Sequence, residues 1–189
     1  VWSNGFSVGF DFFLTTKPLL FSAAFLSILA STAVMIKKKK GFLIILILGS
    51  VLLGIWTISL DATLNGWDEQ FHAVVAKNMI DDPFAPKYIK DAYFPYEYQD
   101  WSANHIWLHK PPLFLWQIAL SIKLFGYTTW AVRMPSLIMY LITIPIFYLI
   151  GKRLYNQKIG FLLGLIGSTN FFWLNLIAGY NSTDHNDVA

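Results

Sequence analysis

Residues 37–60 read KKKKGFLIILILGSVLLGIWTISL: four lysines, then twenty residues without a charged side chain. As a helix rising ~1.5 Å per residue, the apolar part spans about 30 Å, the thickness of a bilayer's hydrocarbon core. The lysine cluster marks its starting end as cytoplasmic, because short loops rich in Lys and Arg stay on that side. A transmembrane helix leaving the cytoplasm at residue 42 and emerging near residue 60 is the element from which the rest can be placed.

Working outward, residues 19–36, 134–150 and 159–178 are also free of charged residues and match residues 42–60 in length, so four membrane helices are expected. Apolar residues make up 56% of the 189, which agrees with a membrane protein. The short loop 151–158, GKRLYNQK, is basic and therefore cytoplasmic. The long connection 61–112 carries eight acidic residues against four lysines and suits the opposite, external face. The residues after Gly179 should emerge on that same face. The overall charge of +3 thus averages a basic side and an acidic side. With no cysteine, disulfide and thiolate chemistry are absent from the chain.

A fifth apolar stretch, residues 113–125, reaches only ~20 Å as a helix and cannot cross. Counting it as a span would also move the Gly-Lys-Arg loop outside. It is expected to be a juxtamembrane helix in the outer interface. Residues 69–80 place Phe71, Val74, Val75 and Met79 at near-helical spacing, which predicts a short amphipathic surface helix with Asp68 at its N-cap. Residues 81–107, with prolines at 83, 86 and 95 among many Tyr and Trp residues, read as an ordered loop against the membrane. The predicted organisation is two membrane helices in 1–60, an external segment with juxtamembrane helices in 61–133, and two more membrane helices leading into an acidic loop in 134–189. The chain starts at Val1 and stops just past an acidic cluster, and is read as the amino-terminal part of a longer polypeptide.

Chemistry-bearing residues gather on the external side. Asp68 and Glu69 follow an emerging helix and lie at headgroup height, where a carboxylate could meet a lipid substrate; helix capping and dipole complementation explain the same pair. Lys110 precedes Pro111 and Pro112, a stiff start to a helix that would hold an ammonium where it can bind phosphate, or let it snorkel. Arg133 stands at the mouth of a span as a second phosphate ligand or as an anchor. Asp184 and Asp187 bring a second pair of carboxylates to the face that carries Asp68. His105 and His109, four apart in a loop, are too little to claim a metal. No cofactor is demanded by any pattern, and a divalent metal stays open.

The ordered blocks Trp67-Asp68-Glu69, His109-Lys110-Pro111-Pro112-Leu113 with Trp116, Leu124-Phe125-Gly126 and Ala131-Val132-Arg133-Met134-Pro135-Ser136 resemble the dolichyl-phosphate-mannose protein mannosyltransferase superfamily. The bacterial branch that includes the lipid A aminoarabinose transferases is the most similar. The resemblance covers residues 61–189 and leaves the helix before the lysines outside it. It implies an all-α integral membrane protein, the amino-terminal part of a C-type glycosyltransferase fold whose active site opens to the external side. Carried over by position, Asp68 takes the place of the essential acid and Asp184 that of the second acid, with Asp187 as its alternative. Lys110 and Arg133 take the lipid-phosphate places, and Glu69 and His109 stand among the substrate-facing positions without an assigned task.

The implied reaction moves a sugar from a polyprenyl phosphate to an acceptor hydroxyl or phosphate on protein, lipid A or glycan, with inversion. The partners implied are the polyprenyl-phosphate-linked sugar, a lipid or protein acceptor and the bilayer, and no nucleic acid; the setting is a bacterial inner membrane with the site facing the periplasm or exterior. Two other classes compete with this one. A transporter would place ionisable residues inside the spans, and all four spans lack them. A noncatalytic scaffold would account for the loop aromatics but not for the shared face of Asp68, Lys110, Arg133 and Asp184.

Overall fold

The computed structural model describes residues 7–37, 40–66, 68–93, 95–97, 99, 104–108 and 111–180, with residues 7–16 described as backbone alone. Among them the chain is helical: α1 (Ser7–Ile36), α2 (Phe42–Ile58), α3 (Asp68–Met79), α4 (Pro112–Phe125), α5 (Thr129–Leu154), α6 (Gln157–Thr169) and α7 (Phe171–Ile177). The one extended pairing among the described residues is an isolated antiparallel bridge between Lys87 and Ile106.

Two stretches, Lys17–Ile36 and α5, are each long and apolar enough to cross a membrane, and α6 with α7 makes a third if that bent pair is one span. At 17 residues α2 is shorter, close to the lower limit for a span. It ends at Ile58 rather than at residue 60, because Ser59 closes the last turn by donating its amide to Ile55 and its hydroxyl to Trp56. The sequence reading treats 159–178 as one straight helix, whereas α6 and α7 meet at an angle of 46°. Asn170 makes the break: its Oδ1 accepts from the Trp173 amide at 3.1 Å and starts α7 afresh. The Ser168 carbonyl freed by the break accepts from the Tyr140 hydroxyl of α5, so the interruption leaves that group satisfied inside an apolar bundle.

At the end of the bundle that carries the lysines, α5 and α6 touch almost backbone to backbone. A Cβ added to Gly151 would lie 2.8 Å from the Gly160 Cα, and one added to Gly160 would lie 2.5 Å from the Tyr148 carbonyl. At the opposite, acidic end, α5 begins earlier than the apolar run suggests. Thr128 caps it, its Oγ1 accepting from the Ala131 amide at 3.1 Å, and this places Arg133 within the helix rather than ahead of it.

The acidic end has its own core. Ala76 and Met79 of α3 pack with Leu115, Ile118 and Ile122 of α4 and with Val132 of α5. Of the expected face, Val75 and Met79 are buried and Phe71 and Val74 half-buried, while Glu69, His72, Ala73 and Ala76 are buried as well, so two polar residues also lie on the side turned inward. Helix α4 buries one side and exposes Leu113, Leu120 and Leu124 on the other, as suits a helix half sunk in an interface. Between α3 and α4 the Tyr88 amide donates to the His105 carbonyl and the Trp107 amide to the Pro86 carbonyl, both at 2.7 Å. Trp116 Nε1 of α4 donates to the Pro83 carbonyl at 2.6 Å.

Candidate active site

Arg133 is 0% exposed and is the largest fully buried side chain among the described residues. A guanidinium carries five N–H donors, and here each has an acceptor. Nε donates to Glu69 Oε1 at 2.7 Å and Nη2 to Glu69 Oε2 at 3.1 Å, a bidentate pair. Nη1 donates to the Ile58 carbonyl at 3.0 Å and the Asp61 carbonyl at 2.7 Å, and Nη2 also donates to the Thr63 carbonyl at 2.9 Å. The arginine therefore joins the end of α2, the following turn and the start of α3. With every N–H engaged it presents no free donor to a phosphate, and its geometry is that of the anchor.

The carbonyls that receive Arg133 are aimed by a turn written into the sequence. Asp61 Oδ1 accepts from both the amide and the hydroxyl of Thr63 at 2.9 Å, which folds residues 61–63 back on themselves. The Thr63 amide holds the Asp61 carboxyl below its ordinary value, and the Thr63 hydroxyl, Arg133 and Lys17 act in the same sense against the opposing effect of burial. Lys17 of α1 reaches this end too, donating to the Leu60 carbonyl at 3.1 Å.

Glu69, with a side chain 2% exposed, also accepts from the Asn65 amide at 2.6 Å. The Asn65 side chain donates in turn to the Ala178 carbonyl at 3.3 Å, so the end of α7 joins the same hub. Next after Ala178 comes Gly179, whose φ of +73° closes α7: its amide donates to Leu176 and the Tyr180 amide to Asn175, both at 3.0 Å. A Cβ on Gly179 would lie 2.6 to 2.8 Å from the three heavy atoms of the Glu69 carboxylate. At the same hub burial, and after it the Asp61 carboxylate, push the Tyr180 phenol up.

Asp68 opens α3 immediately before Glu69 and is half-buried. It stands in the first turn of the helix instead of at the N-cap position ahead of it. Glu69 and Arg133, both expected to face substrate, face each other. His109, Lys110, Asp184 and Asp187 lie outside the described residues. The start of α4 beside Lys110 is described: Pro111 is extended, with φ −59° and ψ 144°, and Pro112 begins the helix.

Three residues that the sequence reading passed over belong to this region. His72, 0% exposed, sits edge-on to Phe114 and Trp107 with ring centroids 4.6 and 5.2 Å away. Asn65 and Gly179 complete the hub. His72 could have been found from the helical spacing of three from Glu69, whereas Asn65 meets Ala178, the neighbour of Gly179, across 113 residues, which leaves no local pattern. Among the described residues no three of His, Asp and Glu come together as metal ligands would.

Residues 109–188 match the family model described as dolichyl-phosphate-mannose-protein mannosyltransferase. The matched stretch contains Lys110, Arg133 and Asp184 and stops short of Asp68 and Glu69. Comparison with curated proteins and with solved structures returned no match.

Proposed function

From the mannosyltransferase superfamily that the match over residues 109–188 supports, we propose that this chain contributes the amino-terminal catalytic region of a polyprenyl-phosphate-sugar-dependent glycosyltransferase. That family implies a membrane glycosyltransferase in general terms, and the long apolar helices suit an integral membrane protein.

In one displacement, the bond between the anomeric carbon and the phosphate oxygen of the donor breaks as a bond to the acceptor oxygen forms on the opposite face. The acceptor's proton passes to the Asp68 carboxylate, general-base help typically worth ~10² to 10⁴ in rate. Polyprenyl phosphate leaves with the bonding electrons. Phosphate departs readily, so the site needs a cation more than a strong acid, and Lys110, which precedes Pro111 and Pro112 in the sequence, supplies it. Asp184, with Asp187 as its alternative, orients the sugar or acceptor. Arg133 works from behind by holding Glu69 and so the first turn of α3. The acidic end faces the exterior, opposite Lys37–Lys40, with the bacterial inner membrane as the setting.

The observation that supports this most is the placement of Asp68: partly exposed, at a helix start whose next residue is locked in a buried ion pair. A base so held can stay aimed without being buried itself. The test is transfer by the full-length protein in liposomes from polyprenyl-phosphate mannose or polyprenyl-phosphate aminoarabinose, each labelled in the sugar, to a membrane extract. Asp68→Asn and Lys110→Ala are each expected to abolish transfer in folded protein. Full turnover by Asp68→Asn would remove the general base, and no transfer by the wild type from any such donor would remove the reading as a whole.

A further inference from the structure

The contact between Gly179 and the Glu69 carboxylate assigns a task to residues packed beside the first turn of α3. We propose that Gly179 and Asn65 are positioning residues for the Asp68 base: together they set the first turn of α3 against the end of α7.

The carboxylate of Glu69 cannot yield to a larger neighbour. It is gripped by Arg133 Nε at 2.7 Å and Nη2 at 3.1 Å and by the Asn65 amide at 2.6 Å. Gly179 fills the side that remains, and only because it has no side chain: a Cβ there would approach Oε2 to 2.6 Å, Cδ to 2.7 Å and Oε1 to 2.8 Å. An added methyl must push the carboxylate off its partners or push the end of α7 away. Either movement is on the order of an ångström, and such a misplacement can cost about 10²-fold in rate. Because Asp68 is the residue before Glu69 in the same helical turn, a shift of that turn carries it along. Asn65 reports on the same junction from the other side, its amide on Glu69 and its side chain on the Ala178 carbonyl.

The inference rests on Asp68 acting as the base. The test compares initial rates against donor concentration for full-length wild type, Gly179→Ala, Asn65→Ala, Gly41→Ala and Asp68→Asn, in liposomes with the two labelled donors above. Gly41 is the control for backbone strain: it too has a positive φ, +94°, but a Cβ there would meet nothing within 4 Å. Gly179→Ala is expected to lower kcat by about 10- to 100-fold and leave the donor KM within about twofold, while Gly41→Ala keeps the wild-type kcat. Asn65→Ala should show a smaller loss of the same kind. Wild-type kcat in folded Gly179→Ala, a loss carried by KM, or an equal loss in Gly41→Ala overturns the inference. Should Gly179→Ala fail to assemble, Asn65→Ala decides alone, an unchanged kcat overturning the proposal and a lower kcat at constant KM upholding it. Full activity in Asp68→Asn instead marks failure of the base assignment.

Discussion

Helix α5 is held by different physics at its two ends. At the acidic end Arg133 is wholly buried and spends every donor on Glu69 and three backbone carbonyls. At the lysine end Arg153 is exposed, and the helix is gripped instead by the glycine contact between Gly151 and Gly160. Backbone contact of the second kind gives rigid packing without polar atoms and suits a place where helices only need to stay together. A buried ion pair costs desolvation that a packed apolar residue would not. Its return here is geometric: a carboxylate-guanidinium fork sets the relative placement of α2, α3, α5 and α7 at the end where chemistry is proposed.

The sharpest way to break this comparison is to delete each arginine. Arg133→Ala leaves Glu69 buried without its charged partner and is expected to destabilise the protein by about 3–5 kcal/mol, whereas Arg153→Ala should change stability by no more than about 0.5 kcal/mol. Thermal unfolding in detergent checks both, and similar Tm values for the two variants would erase the distinction between the ends. Next in size, Gly160→Ala forces a methyl against the Tyr148 carbonyl and should cost about 1–3 kcal/mol while leaving donor KM and kcat near wild type. A selective loss of kcat would show that the lysine end also shapes the site.

Midway along the helix, Tyr140→Phe removes the hydroxyl that satisfies the Ser168 carbonyl at the α6–α7 break. An unsatisfied buried acceptor costs about 1–3 kcal/mol, and loss of protection in amide exchange around Asn170 should accompany it. The smallest effect is one of pH. The lowered Asp61 carboxyl contributes stability above its unfolded value, near ~3.9, and loses it as the pH falls through the lower folded value. Exchange of the Thr63 amide should therefore accelerate only at acid pH, and Asp61→Asn should abolish that dependence. Unchanged exchange across the acid range would mean that the turn does not depend on the carboxylate.

Much of the architecture was readable locally. Runs without charge mark α1, α2 and α5, and the short apolar run at 113–125 matches the bounds of α4 to within a residue. The break at Asn170 was missed because its surroundings are as apolar as any span, and one asparagine in such a run carries no periodicity. The inward face of α3 was read only in part: Val75 and Met79 are buried as their spacing suggests, but hydropathy ranks Glu69 and His72 too low to place them beside these, and they are buried because Arg133 and the Phe114 and Trp107 rings receive them.

For the candidate site, the sequence by itself determined which carboxylates and cations flank the apolar runs, because charged side chains are excluded from segments that long and apolar. It also determined the turn at Asp61 and Thr63 and the helix start at Pro112, since these depend on near neighbours. Only the tertiary structure decided that Arg133 would meet Glu69 instead of standing free, and that Gly179 would be the residue to make room for them. Those choices follow from which surfaces α2, α3, α5 and α7 turn toward one another, and packing between segments more than a hundred residues apart leaves no trace in local spacing.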